Sequence, residues 1–154
     1  MTISLHPVSA ENWRALISLK VREDQTHFVA SNLYSIAEAQ FGFEDEGHWE
    51  MFPFGAYAGE EPVGFLMYCL NFTHSRFQAF IARLMVDEKF QGKGYGRDIM
   101  SKALDRLRAD ERIRNVGISY EPENESARKL YASLGFEEPG EMYDGETLAV
   151  LNLR

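Results

Sequence analysis

The sequence predicts a single α/β (α+β) domain: a mixed central sheet covered by helices. Three observations lead there. Two early apolar runs, FGAYA and VGFLMYCL, are joined by the turn sequence GEEP and read as a β-hairpin. Later the chain alternates strand-like and helix-like segments, the pattern of strands joined by crossovers. A length of 154 residues, 45% hydrophobic and 26% charged, suits one globular domain (1–154) with a sizeable core, and no repeat, linker or low-complexity segment divides it.

Each element has a local reason. TISLHPV alternates apolar and polar residues, as a strand does. Ser9 is placed to cap a helix carrying Trp13, Leu16, Ile17 and Val21 at helical spacing. A second helix is expected over 32–39, with Leu33, Ile36 and Ala37 inward. The hairpin follows, and QAFIARLMV (78–86) reads as a third long strand. Over 96–108, Ile99, Met100, Ala103, Leu104 and Leu107 fall on one helical face. NVGISY is a strand. Asn124 caps a short helix with Ala127, Leu130, Tyr131 and Leu134 inward, and Gly135 ends it. ETLAVLNL closes the chain as a last strand.

Composition narrows the function. The N-terminus has no basic start followed by an apolar run, and no apolar segment approaches the ~20 residues of a membrane span. The lone Cys69, within FLMYCL, reads as a core residue in a reducing compartment, so a cytoplasmic protein is expected. His6, His27, His48 and His74 lack metal-ligand spacing, so no metal is expected. The net charge of −8 argues against a nucleic-acid partner. Its distribution says more. No Lys or Arg lies between Glu23 and Ser75, a window that holds nine carboxylates; from Arg76 to Lys129 twelve basic residues face nine acidic ones. One half suits a cation, the other an anion.

The stretch KFQGKGYGRDIM places Gly92, Gly94 and Gly96 between a strand and a helix, with Lys93 and Arg97 among them. Glycines let backbone N–H groups converge on one point, and the helix N-terminus adds its dipole, so the stretch is a candidate anion site. It is neither a P-loop nor a GxGxxG fingerprint.

Gln91-Gly92-Lys93-Gly94-Tyr95-Gly96 resembles the Q/R-x-x-G-x-G/A motif of the GNAT superfamily of N-acetyltransferases. Downstream, Asn124 to Tyr131 with Leu134-Gly135-Phe136 is similar to that family's N-x-x-A-x-x-L-Y-x-x-x-G-F signature. VGFLMY, VDEKFQGKGYG, YEPENESARKLYASLGF and GEMYDGETLAVLNL look closest to bacterial spermine/spermidine (diamine) acetyltransferases.

The resemblance implies a GNAT-like domain with helices on both faces of the sheet. It implies acetyl-CoA as co-substrate, held where parallel strands 80–87 and 115–121 splay apart. Main-chain groups near Leu84, Met85 and Val86 would pair with the pantetheine arm. Backbone N–H groups from Gln91 to Arg97 would hold the diphosphate, helped by Lys93, Arg97 and Arg128 or Lys129. Asn124, a good N-cap in its own right, would also touch the cofactor. Tyr131, otherwise a core residue, would protonate the departing thiolate. The acceptor amine must first lose a proton, having a pKa of about 10. Glu121 is the first candidate base, with Glu38, Glu44 and Asp45 as others. Some relatives carry an acid at the position before Arg83, where this chain has Ala82. The acidic window would hold a polyamine through Glu38, Glu44 and Asp45, with Tyr34, Phe41, Phe43 or Trp49 against its methylenes. Other amines (an aminoglycoside, an amino acid, a protein N-terminus) and a non-catalytic acyl-CoA sensor are the alternatives. Homodimers are common among similar proteins and enter as a possible assembly.

Overall fold

A computed structural model describes residues 2–154. The elements are β1 (Ile3–Pro7), α1 (Trp13–Ile17), α2 (Asn32–Ala39), β2 (Phe43–Glu44), β3 (His48–Ala58), β4 (Glu61–Leu70), β5 (Ala79–Val86), α3 (Tyr95–Arg108), β6 (Asn115–Tyr120), α4 (Glu125–Ser133), β7 (Met142–Tyr143) and β8 (Glu146–Asn152). They build an eight-stranded sheet in the order β1-β3-β4-β5-β6-β8-β7, with β2 paired to β3. All pairings are antiparallel except β5–β6. The mixed sheet and the hairpin of β3 and β4 follow the sequence pattern.

Strand alternation sorts the core onto two faces. Along β4, Leu66 and Tyr68 pack with Ile99, Met100, Ala103 and Leu104 of α3 and Tyr131 of α4. Phe65, Met67 and Cys69 point the other way, into a cluster with Trp49, Phe77 and Met85 that Ile36 and Ala39 of α2 cover. The helices press closely. A Cβ at Gly55 would lie 2.6 Å from Leu16 of α1, and one at Gly64 would lie 2.9 Å from Ile99 Cδ1 of α3.

Two expected helices are corrected. The first stops at Ile17, leaving Val21 outside, and its N-cap is Asn12 rather than Ser9. Lys20 N–H donates to Asp87 Oδ1 at 2.9 Å, which draws the chain toward the end of β5. The second helix has the predicted bounds and is capped by Ser31, but Leu33 is 55% exposed and Ala37 is also outward. Polar Asn32 and Ser35 turn inward instead, Asn32 Nδ2 donating to Leu16 O at 2.8 Å. Among the described residues no helix is long and apolar enough to cross a membrane.

Candidate active site

β5 and β6 pair in parallel only through Ala79–Val116, Phe80–Gly117 and Ile81–Ile118. On its other edge β5 keeps its partner β4, but with an irregularity: Met67 pairs with Arg83 and Tyr68 with Ile81, so Ala82 is an extra residue. Such a bulge bends the strand and increases its twist. It also turns Ala82 and Arg83 toward the same face, the one α2 covers. Beyond the bulge the two parallel strands diverge, and a cleft of about 1380 Å³ opens between them.

The glycine loop stands at one end of this cleft. Gly92 and Gly94 have φ of 81° and 82°, and Gly94 is the N-cap of α3. A Cβ at either would meet nothing within 4 Å, so the turn is open on that side rather than packed. Asp98 N–H reaches Gly94 O to start the helix; among the described residues no acceptor meets the N–H groups of 92–97. Gln91 locks the loop: its Nε2 donates to Val86 O and to Gln25 Oε1, both at 2.9 Å. Arg22 Nη1 donates to Gln91 Oε1 at 3.2 Å and the residue lines the cleft beside the loop, its Nε paired with Asp24 Oδ1 at 3.3 Å.

The other end is acidic. Glu38, Glu44, Asp45, Asp144 and Glu146 line it, with Arg83 the cation among them. Arg83 Nη2 donates to Glu38 Oε1 at 2.8 Å and Nη1 to the bulged Ala82 carbonyl at 2.9 Å, while its buried Nε has no partner among the described residues. Glu44 pairs with His48. Asp45 accepts from Tyr143 Oη at 2.7 Å. Asp45, Glu46 and His74 stand close enough to suggest a metal. However, His74 Nδ1 accepts the N–H groups of Arg76 and Phe77. Its proton therefore sits on Nε2, facing Asp45 and Glu46 at 3.4 and 3.5 Å, where a metal would need a bare nitrogen. The cluster is a hydrogen-bonded lock on the turn before β3.

Tyr131 and Glu146 meet the gap from opposite sides. Tyr131 is 7% exposed, packs against Tyr120 with ring centroids 5.5 Å apart, and belongs to the α3–α4 face. Burial, with the charges of Tyr120 and Glu146, pushes its hydroxyl above the ordinary tyrosine value, so it stays protonated and able to donate. Glu146 lies on the α2 face of β8, where its Oε1 accepts from Ser119 Oγ of β6 at 2.8 Å. Burial leads the causes that raise its pKa. Asn124 Oδ1 accepts from Ala127 N–H at 3.2 Å, and the residue also lines the cleft.

The model of the acetyltransferase (GNAT) family matches residues 11–136, most of the chain. The chain belongs to the GNAT family. It is similar to the spermine/spermidine N(1)-acetyltransferase of Bacillus subtilis, 27% identical over 158 residues, covering 99% of this chain and 100% of that protein. N-alpha-acetyltransferase 30 of Xenopus laevis is 36% identical over 90 residues, 58% of this chain and 33% of that one. Among solved structures, an aminoglycoside acetyltransferase, AAC(6')-Ib with paromomycin and acetyl-CoA, shares the fold at a TM-score of 0.76 and 16% identity, over 99% and 94% of the two chains. The spermidine N-acetyltransferase of Vibrio cholerae with CoA and spermine has a TM-score of 0.68 at 19% identity, over 97% and 92%. As a GNAT protein the chain is an N-acetyltransferase that uses acetyl-CoA as co-substrate.

Of the GNAT-type residues expected from the sequence, Leu84, Met85, Val86, Gln91, Gly92, Gly94, Tyr95, Gly96, Asn124 and Tyr131 line one cleft, as do Glu38, Glu44 and Asp45. Others do not. Lys93 and Lys129 are exposed outside the lining; Arg97 Nη2 is bound to Ser133 Oγ at 2.6 Å, and Arg128 to Glu125 and Glu138. Arg22, which no local motif marks, lines the cleft beside the loop and is paired with Asp24 at 3.3 Å. Glu121 is half-buried at the end of β6 but outside the lining, whereas Glu146, one strand over, is within it. Of the expected aromatic residues, Phe43 lines the cleft; Trp49 is fully buried beneath it, and Tyr34 and Phe41 are exposed elsewhere.

Proposed function

We propose that this GNAT enzyme acetylates a polyamine or diamine, such as spermidine or spermine, by direct attack of the amine on the thioester. The observation that carries the reading is the charge of the acceptor end: five carboxylates around one arginine that is itself paired. A thin polycation satisfies separated carboxylates, and attraction falls off slowly in a cleft walled by protein. The likeness to the Bacillus subtilis enzyme over the full length of both chains supports the same class. Residues 1–154 act as one acetyltransferase domain in this reading.

Acetyl-CoA supplies the activated acetyl group; everything else falls to the chain. The open Gly92 and Gly94 turn and the free N–H groups of 92–97 suit a diphosphate, and Arg22 adds charge. The β5 edge beyond Ile81 has unpaired main-chain groups toward the gap, a strand edge for the amide-rich pantetheine arm at Leu84, Met85 and Val86. Tyr131, kept neutral, gives its hydroxyl proton to the departing thiolate. Cys69 is buried with its thiol pushed up to about 12, so no acyl-cysteine is invoked.

The partnerless Arg83 Nε favours a second reading, in which the acceptor offers an oxygen there, as an aminoglycoside hydroxyl or a peptide carbonyl would. A panel of amines with acetyl-CoA, followed by free-thiol release and mass spectrometry of the products, separates the two. Spermidine and spermine should show the highest kcat/KM. Preference for an oxygen-rich acceptor moves the assignment to the second reading, and CoA binding without thiol release on any amine defeats both.

A further inference from the structure

We propose that Glu146 is the carboxylate that takes the proton from the incoming ammonium, with Ser119 as its positioning residue. The inference rests on the acetyltransferase reading above and adds to it the general base, which no sequence motif marks.

The placement comes first. Alternation along β8 puts Glu146 on the same face as Leu148, the face covered by α2, and Ser119 of β6 shares that face. The side chains of Tyr131 and Tyr120 belong to the opposite face. Both Glu146 and Tyr131 line the cleft, and they are near enough for the Glu146 charge to raise the Tyr131 pKa. A proton acceptor on one side of the gap and a proton donor on the other suit an amine arriving from the α2 side and a thiolate leaving toward α4.

Availability comes second. Three of the other four cleft carboxylates are engaged, Glu38 by Arg83, Glu44 by His48, and Asp45 by Tyr143 and His74. Asp144 sits at the tip of the β7–β8 turn with φ of 51°. Glu146 has one oxygen held by Ser119 at 2.8 Å, which orients the group; among the described residues its Oε2 has no donor. The charged groups around it pull in both directions. Glu121 and Asp144 raise its pKa, Arg83 and the Ser119 hydrogen bond lower it, and burial, the largest influence, leaves it raised. A carboxylate shifted upward is a stronger base for this task.

In the step itself an ammonium N–H bond breaks and an O–H bond forms on Glu146, while the electron pair stays on nitrogen for the attack. Glu146 then returns the proton to solvent through the open cleft. Activity is therefore lost as pH falls through the raised Glu146 pKa.

Glu146→Gln keeps the size and the Ser119 contact and removes the base. The expected result near pH 7 is a fall in kcat of about 100-fold or more, with acetyl-CoA affinity by calorimetry and the circular dichroism spectrum unchanged. The deficit should shrink as pH approaches the amine pKa of about 10, where solution supplies free amine. Carbon-13 NMR of carboxyl-labelled glutamates gives a readout apart from turnover: the resonance missing in Glu146→Gln should titrate above the ordinary glutamate range in the parent. Turnover within a few-fold of the parent at pH 7, a deficit equal at every pH, or an ordinary titration overturns the inference. So does a loss carried by Glu121→Gln instead. An active parent with an indifferent Glu146→Gln sinks this inference alone; a parent that releases no thiol with any amine sinks the acetyltransferase reading beneath it.

Discussion

At one end of the cleft a short loop offers backbone N–H groups around Gly92 and Gly94; at the other, carboxylates from α2, the turn before β3 and the β7–β8 hairpin converge as side chains. In the proposed function the first end binds through main chain fixed by local geometry, the second through charges whose positions depend on the whole sheet. The difference predicts opposite sensitivities. Substitution at the loop or at the gap should act on every acceptor alike, while substitution at the acidic end should discriminate between acceptors.

The sharpest test of the shared chemistry is Tyr131→Phe. The ring that packs against Tyr120 stays and only the hydroxyl is lost. Turnover should fall by roughly 10²–10⁴ with every amine, the range for general acid catalysis, while the thermal midpoint barely moves. Turnover within a few-fold of the parent would show that another group protonates the thiolate.

Gly94→Val probes the loop itself. At φ of 82° a β-branched residue costs about 1–2 kcal/mol of backbone strain, and its side chain enters the space left open above the turn. Acetyl-CoA affinity should fall by about tenfold or more, some 1.4 kcal/mol, with the fold retained. Gly96 is different: its φ is not positive and an added Cβ meets Leu130 at an ordinary 3.6 Å, so Gly96→Ala should lose less. Equal affinity for Gly94→Val and the parent by calorimetry would remove the loop from the diphosphate site.

The same contrast explains what the sequence could and could not tell. The glycine spacing, the Asn124 cap and the apolar stripe of α3 are local features, and each stands where the spacing put it. Glu146 looked like the first residue of a strand; its place beside Ser119 exists only because β8 pairs with β6. Arg22 was equally silent, since it reaches the loop through Gln91, 69 residues away. The short α1 has the same cause, a hydrogen bond from Lys20 to Asp87 that no local window contains. Inward Asn32 and Ser35 misled the reading of α2, because a polar residue bonded within the core looks, in sequence, like an exposed one. The charge window was visible, but not that Arg83, His48, His74 and Tyr143 would engage its carboxylates.

That engagement sets the size of the next effect. Replacing Glu38, Glu44 and Asp45 together by Gln, Gln and Asn removes charges already partly satisfied. Ion pairs of this kind are each worth about 0.2–1 kcal/mol, so losing three should raise KM for spermidine at least about threefold, with acetyl-CoA affinity unchanged. In the parent, KM for spermidine should rise with ionic strength while that for a monoamine stays nearly flat. Unaltered spermidine kinetics in the triple variant would move the assignment away from polyamines.

The smallest effect belongs to the buried cysteine of the cleft wall. Cys69 lines the cleft wall yet is fully buried, its thiol pushed up to about 12 chiefly by burial. At pH 8 roughly one thiol in 10⁴ is ionised, too few to act as a nucleophile. Direct transfer therefore predicts that Cys69→Ala keeps turnover within about twofold of the parent, since general acid and base residues elsewhere carry the chemistry. A folded variant without turnover would point to an acetyl-cysteine route instead. The same shift has a stability consequence. The neutral thiol is favoured in the folded state, so its contribution is complete below the ordinary thiol value of 9.0 and is lost as pH rises toward about 12. The parent should weaken across that alkaline window more steeply than Cys69→Ala, and denaturant titrations at pH 8 and pH 11 would measure the difference. Parallel loss in both proteins would mean that the thiol is solvated in the folded state, which would reopen the question of its reactivity.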